Sequence, residues 1–454
     1  MDIKDKISFY TALFTAKGIN KGLHLMKSSG TSLPGLVALK ISKNFLSFLS
    51  KYNEKEIITV TGTNGKTTTA GLLAHILKTS QHSVLHNEKG ANMLSGIASA
   101  LAVNYKPFSR FDYAVLESDE AYLTKLYDYL KANYLLVTNL FRDQLDRYGE
   151  LDTTAKKIQE AIDKNKDLKL FINADDPMLS QLGKNNNRIF YGFDNITYKN
   201  QQNESQAPAE AVTCACGSAL QYSQRYYAHI GSYYCSSCNM HRPEPDYKGY
   251  AVIYDDFSEI YLKHKDNNGQ EKELYFKTPL VGLYNAYNAL AAISASLELN
   301  IPAEVIQQGL DSYKSVFGRA EKLSIKGKNV LVQLIKNPTG ASEVLRTVNP
   351  ATSSRLLIAI NDNYADGRDV SWLWDADFEL LKDYPNSIVV SGIRAYDMAV
   401  RLKYAGFDPQ KIEIKQNLKE AVEYALNTTQ QNEQLLIMPT YTALLDMQKI
   451  FRKL

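Results

Sequence analysis

The stretch "VTGTNGKTTT", Val60–Thr69, follows the apolar run "EIITV" and precedes the helical pattern "TTAGLLAHILK". A strand, a glycine turn and a helix in that order bring backbone N–H groups and the positive end of a helix to one point. That is a site for phosphate. Gly62 and Gly65 let the backbone turn tightly around the oxygens, with Thr63, Asn64 and Thr68 between and beside them. Lys66 can reach the β- and γ-phosphates, and the Thr67 hydroxyl can ligate Mg²⁺. The spacing departs from the eight-residue phosphate-loop pattern, because the first glycine stands only three residues before the second. The metal needs an acidic partner. Glu117, at the end of the strand-like "DYAVLES", is the expected one, since ligands gather at the carboxyl ends of strands in such sheets.

Outward from the loop, short apolar runs alternate with helical patterns: "EIITV", "DYAVLES", "YLLVTN", "LKLFIN" and "RIFYG". This predicts a mostly parallel sheet wrapped by helices. Strand-like pieces are expected around Ala251–Ile260 and Glu273–Phe276, then the helix "NAYNALAAISASLEL". After Leu323 a second alternation begins ("NVLVQLI", "RLLIAI", "SIVVSG", "KIEIKQ", "QLLIMPT") and predicts a separate small α/β domain. Residues 1 to about 50 read as helices and turns. Within them Ile3, Ile7, Tyr10 and Phe14 recur at helical spacing, and such a stripe is expected to pack against its own protein.

The 454 residues suffice for two or three domains, and 44% apolar with 22% charged residues excludes a disordered or fibrous chain. A net charge of +3 gives no nucleic-acid footprint. No apolar run approaches a membrane-spanning length, and the start lacks a signal-peptide core, so a cytoplasmic chain is expected. All four cysteines fall in one segment: Cys214 and Cys216, then eighteen intervening residues, then Cys235 and Cys238. Paired thiolates on two tight turns predict a tetrahedral structural Zn²⁺ site, a zinc ribbon whose role is folding rather than chemistry. The first pair is one residue shorter than usual, and nearby His241 is read as incidental.

"TGTNGKTTT", "VTNLFRDQLDRYGELD", "NADDP", "GLYNAYNALAA" and "FGRAEK", in this order from about Glu56 to Lys322, resemble the Mur ligase superfamily. These enzymes join an amine to a carboxylate through an acyl-phosphate at the expense of ATP. The resemblance implies that Lys66 and Thr67 bind ATP phosphates, Glu117 binds Mg²⁺, Asn288 contacts adenine and Arg319 lies beside the nucleotide. "LIKNPTG" resembles the family's Asn-Pro segment, here Asn337 and Pro338. Where many members carry Asp-His-Leu-Asp, this chain has Asp143-Gln144-Leu145-Asp146, so the histidine's task must be done otherwise. About fifty residues before the loop are too few for the family's UDP-binding domain, and a UDP-linked substrate is not expected.

An ATPase core without that domain, a four-cysteine insertion and "AINDNYADGRDVSWLWD" resemble a narrower family, the Mur-ligase-like subunits of glutamine-hydrolysing lipid II isoglutaminyl synthases. This resemblance spans the whole chain. It implies a class I glutamine amidotransferase partner (GatD-like) in a heterodimer, and a chain working at the inner face of the membrane. The implied substrate is the D-glutamate α-carboxylate of the lipid II stem peptide. It also implies that an aspartate of the C-terminal domain completes the partner's Cys-His pair. Among Asp362, Asp366 and Asp369, the first choice is Asp362, just past a strand, and the next is Asp369.

The expected architecture is therefore α/β. A helical lead segment (1–54) precedes a Mur-ligase-type central ATP-binding domain (55–318) with a zinc ribbon inserted at about 211–242. A Rossmann-like α/β domain (319–454) follows. Competing readings are a folylpolyglutamate synthase-like ligase, which has no use for the cysteines, and a catalytically dead scaffold, against which Lys66, Thr67 and Glu117 speak.

Overall fold

The computed structural model describes residues 3–25, 32–88, 91–106, 109–141, 151–199, 213–254, 256–266, 268–314, 319–346, 355–431 and 433–454. Its first sheet is built from β1 (Ile57–Thr61), β2 (Val84–His86), β3 (Tyr113–Glu117), β4 (Tyr134–Val137), β5 (Lys169–Asn173) and β6 (Arg188–Tyr198). A separate hairpin, β7 (Gln221–Tyr227) and β8 (Ile230–Tyr234), intervenes before β9 (Tyr247–Ile253), β10 (Ser258–Lys265) and β11 (Glu271–Thr278) complete it. The order is β11-β10-β9-β6-β5-β4-β1-β3-β2, parallel from β9 to β2 and antiparallel at β10 and β11.

Every residue of β1, β3 and β4 is buried, as a parallel sheet covered on both faces requires. Helices Lys66–Thr79, Leu283–Glu298 and Ala303–Ser312 cover one face. The amino-terminal helices, with Leu94–Asn104, Glu120–Leu126 and Leu151–Asp163, cover the other. After β1 the chain steps to β2 and β3 on one side and then crosses to β4 on the other. The carboxyl end of β1 is thus a topological switch point, where such sheets open a crevice.

The strand-like stretch around Ala251–Ile260 holds the end of β9 and the start of β10, with Tyr254 N–H donating to Phe257 O between them. The stripe on helix Ile3–Leu25 differs from expectation. Phe9, Ala12, Leu13 and Ala16 take the core contact, with Phe9 stacked on Phe45 and Phe48 at 5.0 and 4.1 Å. Ile3, Ile7 and Phe14, on the opposite side, are left 74%, 62% and 62% exposed, with Tyr10 at 37%.

A second sheet holds β12 (Arg319–Ile325), β13 (Lys328–Gln333), β14 (Arg355–Ala359), β15 (Ile388–Ser391), β16 (Ile412–Ile414) and β17 (Gln434–Pro439). Its order is β12-β13-β17-β14-β15-β16, parallel except for the β12–β13 hairpin. Strand β12, absent from the periodicity, is the polar edge strand "RAEKLSI".

Candidate nucleotide-binding active site

Gly62 (φ +123°) and Gly65 (φ +85°) hold backbone shapes that side chains resist. A Cβ on Gly65 would sit 2.0 Å from Asn288 Oδ1, so the loop tolerates no larger residue there. The loop's outer side is tied to the segment after β4. Thr63 N–H donates to Asn139 O (2.8 Å), Asn64 N–H to Asn139 Oδ1 (2.9 Å), and Phe141 N–H to Thr63 Oγ1 (3.0 Å). The helix begins at Lys66, leaving its first N–H groups at the loop's mouth.

Lys66 is buried and its Nζ meets Glu120 Oε1 at 2.9 Å, while also donating to Gly62 O. Burial works against its charge, but Glu120, Asp119 and Glu117 outweigh it and hold the ammonium's pKa above the ordinary value. Thr67 Oγ1 donates to Glu117 Oε1 across 3.0 Å. The other carboxylate oxygen, Glu117 Oε2, is buried with no hydrogen-bond partner among the described residues. Asn87 Oδ1 accepts from Glu117 N–H (2.8 Å), fixing the strand end. A threonine hydroxyl beside an orphaned buried carboxylate oxygen is a hard-oxygen set that fits Mg²⁺.

Asn288 lies over the loop, its Oδ1 accepting from Thr69 Oγ1 at 3.3 Å and its Nδ2 donating to Asn285 Oδ1 at 3.2 Å. From the second sheet, Asn337 Nδ2 donates to Asn64 Oδ1 (3.0 Å), and Asn337 Oδ1 accepts from Gly340 N–H (2.8 Å) in the helix opened by Pro338. Between the two sheets is a cleft, open to solvent, that runs from Asn64, Gly65 and Thr68 to Phe141, Tyr227 and Glu343. The rings of Phe141 and Tyr227 lie 5.7 Å apart, and those of Tyr227 and Tyr287 5.8 Å apart. Burial pushes the Glu343 carboxyl up to about 7, against the opposing pull of Arg346 at 3.1 Å.

The four cysteine sulfurs all lie within 4.8 Å of one another, with Cys214 and Cys235 buried. Gly217 (φ +87°) closes the first turn, and Gly217 N–H donates to Cys214 O. Four thiolates so gathered fit a structural Zn²⁺. His241 stands apart from them, its Nδ1 against Asn239 O at 2.9 Å. The module docks on "NADDP": Asp175 pairs with Arg242 Nε (2.6 Å), accepts from Tyr287 OH (2.6 Å), and through its carbonyl accepts from Gly231 N–H. That docking carries Tyr227, at the end of β7, into the cleft.

The three C-terminal acids do different things. Asp362 is buried at the end of β14, and Arg394 Nε and a terminal guanidinium nitrogen donate to its Oδ2 at 3.0 and 2.7 Å. Asp366 is committed to the fold, accepting from Thr442 N–H (2.7 Å) and Thr442 Oγ1 (2.5 Å). Asp369 caps a turn, accepting from Ser371 N–H and Oγ at 2.8 and 2.9 Å.

Lys66, Thr67, Glu117, Asn288 and Asn337 thus gather around the phosphate loop, with Asn288 lining the cleft itself, while Asp362 and Asp369 belong to the loop after β14. Asp143–Asp146 and the Arg319 side chain lie outside the described residues. Glu120, Tyr227 and Glu343 were missed by sequence reasoning. Glu120 had a signal, standing three residues beyond Glu117 in "LESDEAY".

Residues 60–222 match the Mur ligase middle domain, and residues 334–444 match the MurT ligase C-terminal domain. The chain is 36% identical over 426 residues to the lipid II isoglutaminyl synthase (glutamine-hydrolyzing) subunit MurT of Streptococcus pneumoniae, covering 93% of this chain and 92% of the relative. It is 34% identical over 443 residues to the subunit of that name from Staphylococcus aureus, covering 96% of each. Among solved structures, a pseudomurein peptide ligase type C from Methanothermus fervidus superposes with a TM-score of 0.67 at 22% identity, over 88% of this chain and 79% of that one. The MurF ligase of Thermotoga maritima, in complex with ADP, gives 0.64 at 13%, over 92% and 84%. The two superpositions show the shared fold.

Proposed function

The chain belongs to the MurT family of Mur-type ligases, and from that premise we propose that it amidates the D-glutamate α-carboxylate of the lipid II stem peptide, giving D-isoglutamine. A carboxylate oxygen of the substrate attacks the γ-phosphorus of ATP, forming an acyl-phosphate and releasing ADP. Ammonia then attacks the acyl carbon, phosphate leaves, and the nitrogen loses a proton. The observation that carries this reading is the Thr67–Glu117 pair beside the buried Lys66. Mg²⁺ held there would neutralise phosphate charge. Lys66 would stabilise charge on the transferring group, and the loop N–H groups would orient it. Asn288 would contact adenine and Arg319 would lie beside the nucleotide.

The ammonia source in this reading is a class I glutamine amidotransferase subunit. Asp362, held by Arg394 at a surface where Tyr364 and Tyr396 are 87% and 59% exposed, would orient its catalytic histidine, with Asp369 as the alternative. We read the four-cysteine module as a zinc ribbon at about 211–242 within a central domain of 55–318, preceded by a lead segment of 1–54. The sheet of 319–454 is read as a Rossmann-like domain. Among the described residues no helix is long and apolar enough to cross a membrane. In this reading lipid II would be met at the membrane's inner face.

The test supplies lipid II, ATP, glutamine and the amidotransferase subunit, and counts ADP against amide. One ADP per D-isoglutamine supports the reading, and Lys66→Ala should make neither with glutamine or ammonium. ATP hydrolysis without amide formation would overturn it.

A further inference from the structure

The outward side of helix Ile3–Leu25 is unlike an ordinary surface helix. Its inner side packs Phe9, Ala12, Leu13 and Ala16, yet Ile3, Ile7, Tyr10 and Phe14 stand in solvent on the other. A helix apolar on both sides has a second apolar environment to fill. The neighbouring helix Leu33–Ile41, tied by Ser8 Oγ donating to Ile41 O, likewise leaves Leu33, Leu36 and Ile41 exposed. At helical spacing Lys4 and Lys6 fall on either side of the stripe and Lys21 continues it, while Asp5 falls on the side of Ala12 and Ala16. Exposed Lys40 and Lys43 stand at the end of the neighbouring helix.

Charge marks this region off from the rest. Residues 1–51 contain eight lysines and two aspartates, a surplus of six positive charges, whereas the whole chain nets +3. The remainder is therefore net acidic. Apolar side chains rimmed by lysines are the complement of an anionic lipid surface, with acyl chains under negative headgroups. The exposed aromatic surface around Asp362 carries charges of both signs, with Arg368 and Arg394 beside Asp362 and Asp397.

We propose that helix Ile3–Leu25, with Leu33–Ile41, is a bilayer-docking surface that lies in the headgroup region of an anionic membrane. It would bring the ligase cleft to a substrate whose lipid tail stays in the bilayer. That use rests on the function proposed above; vesicle binding itself does not.

The test is co-sedimentation of the full chain with phosphatidylcholine vesicles with and without phosphatidylglycerol. Binding is expected to the anionic vesicles and to weaken in high salt. Ile7→Asp/Phe14→Asp should lower partitioning about tenfold or more, since two apolar side chains leave the interface. Lys4→Glu/Lys6→Glu should weaken it in the same direction. Both pairs are exposed, so thermal melts should match the wild type. With the amidotransferase subunit present, the apolar double variant should lose amidation of vesicle-embedded lipid II and keep it on detergent-solubilised lipid II. Failure on both substrates by the wild type would sink the functional reading and leave docking standing. Wild-type protein that ignores anionic vesicles, or a double variant that binds them equally, overturns the proposal. So does a double variant that keeps vesicle binding but loses the amidotransferase subunit, which would assign the surface to a protein.

Discussion

Asn337 Nδ2 donates to Asn64 Oδ1 across 3.0 Å, joining the helix that follows β13 directly to the phosphate loop. Asn337 is fully buried, and its own Oδ1 holds Gly340 N–H. Asn337→Ala would leave both partners unsatisfied, at about 1–3 kcal/mol. The expected result is a fall of about tenfold or more in kcat/KM for ATP, with a modest drop in Tm. Unchanged ATP kinetics would mean that this contact is not made during turnover.

Lys66→Ala should cost stability as well as activity. Glu120 would be left buried without its cation, a loss of about 3–5 kcal/mol. Adding Glu120→Gln removes the stranded charge, so the double variant should recover most of the Tm and none of the ATP turnover. Urea unfolding of the two variants side by side checks this, and equal stability of both would refute the pairing.

Glu343 should make stability pH-dependent. Its folded pKa, about 7, lies above the unfolded value of about 4.3, so the fold binds this proton more tightly. The contribution is fully present below the unfolded value and is lost as pH rises through about 7. Between pH 5 and 8 the wild type should therefore lose on the order of 2–3 kcal/mol relative to Glu343→Gln. Denaturant midpoints of both proteins at the two pH values measure the difference.

Tyr227 joins the four-cysteine module to the cleft. If a nucleotide base stacks on it, Tyr227→Leu fills the same core without an aromatic face and should weaken Mg·ATP binding by roughly five- to a hundredfold. Binding of tripolyphosphate, which has no base, should be unchanged. Cys235→Ser should lose about one equivalent of Zn²⁺ and weaken ATP binding in the same way, since the hairpin carrying Tyr227 loses its clamp. Calorimetry and metal analysis test the pair. Full ATP affinity in metal-free protein would separate module from cleft.

Asp362→Asn keeps an acceptor for Arg394 but loses the charge that would support an imidazolium. Glutamine-driven amidation should fall by about 10³- to 10⁴-fold, and ammonium should restore it, since the Lys66 site is untouched. Failure with ammonium as well would place Asp362 in the synthetase half. Normal rates with glutamine would shift the role to Asp369.

What could be read beforehand follows from how local each feature is. Gly62, Gly65, Lys66 and Thr67 share one turn, and Glu117 ends a strand whose burial is written in its apolar residues. Tyr227 and Glu343 reach the cleft from a hairpin and a helix that only tertiary packing brings together, so no spacing announces them. The stripe of Ile3, Ile7 and Phe14 misled for a related reason. Both sides of that helix are apolar, and periodicity cannot say which side the core takes. Strand β12 went unseen because an edge strand need not be apolar on either face.

Strands β6 and β9 are parallel neighbours, with Tyr191 paired to Tyr247 and Tyr198 to Ile253. The cysteine module therefore sits inside the return path between two adjacent strands, where the chain must travel back the full length of the pairing. Parallel neighbours need a connection of about a dozen residues or more. A protein engineer who excised the module and sealed the gap with a tight turn would make that return impossible. Such an excision would reverse β9 or expel it, and the hairpin of β10 and β11 would go with it. Trimming this chain to a minimal ligase calls for a replacement helix, not a shorter loop.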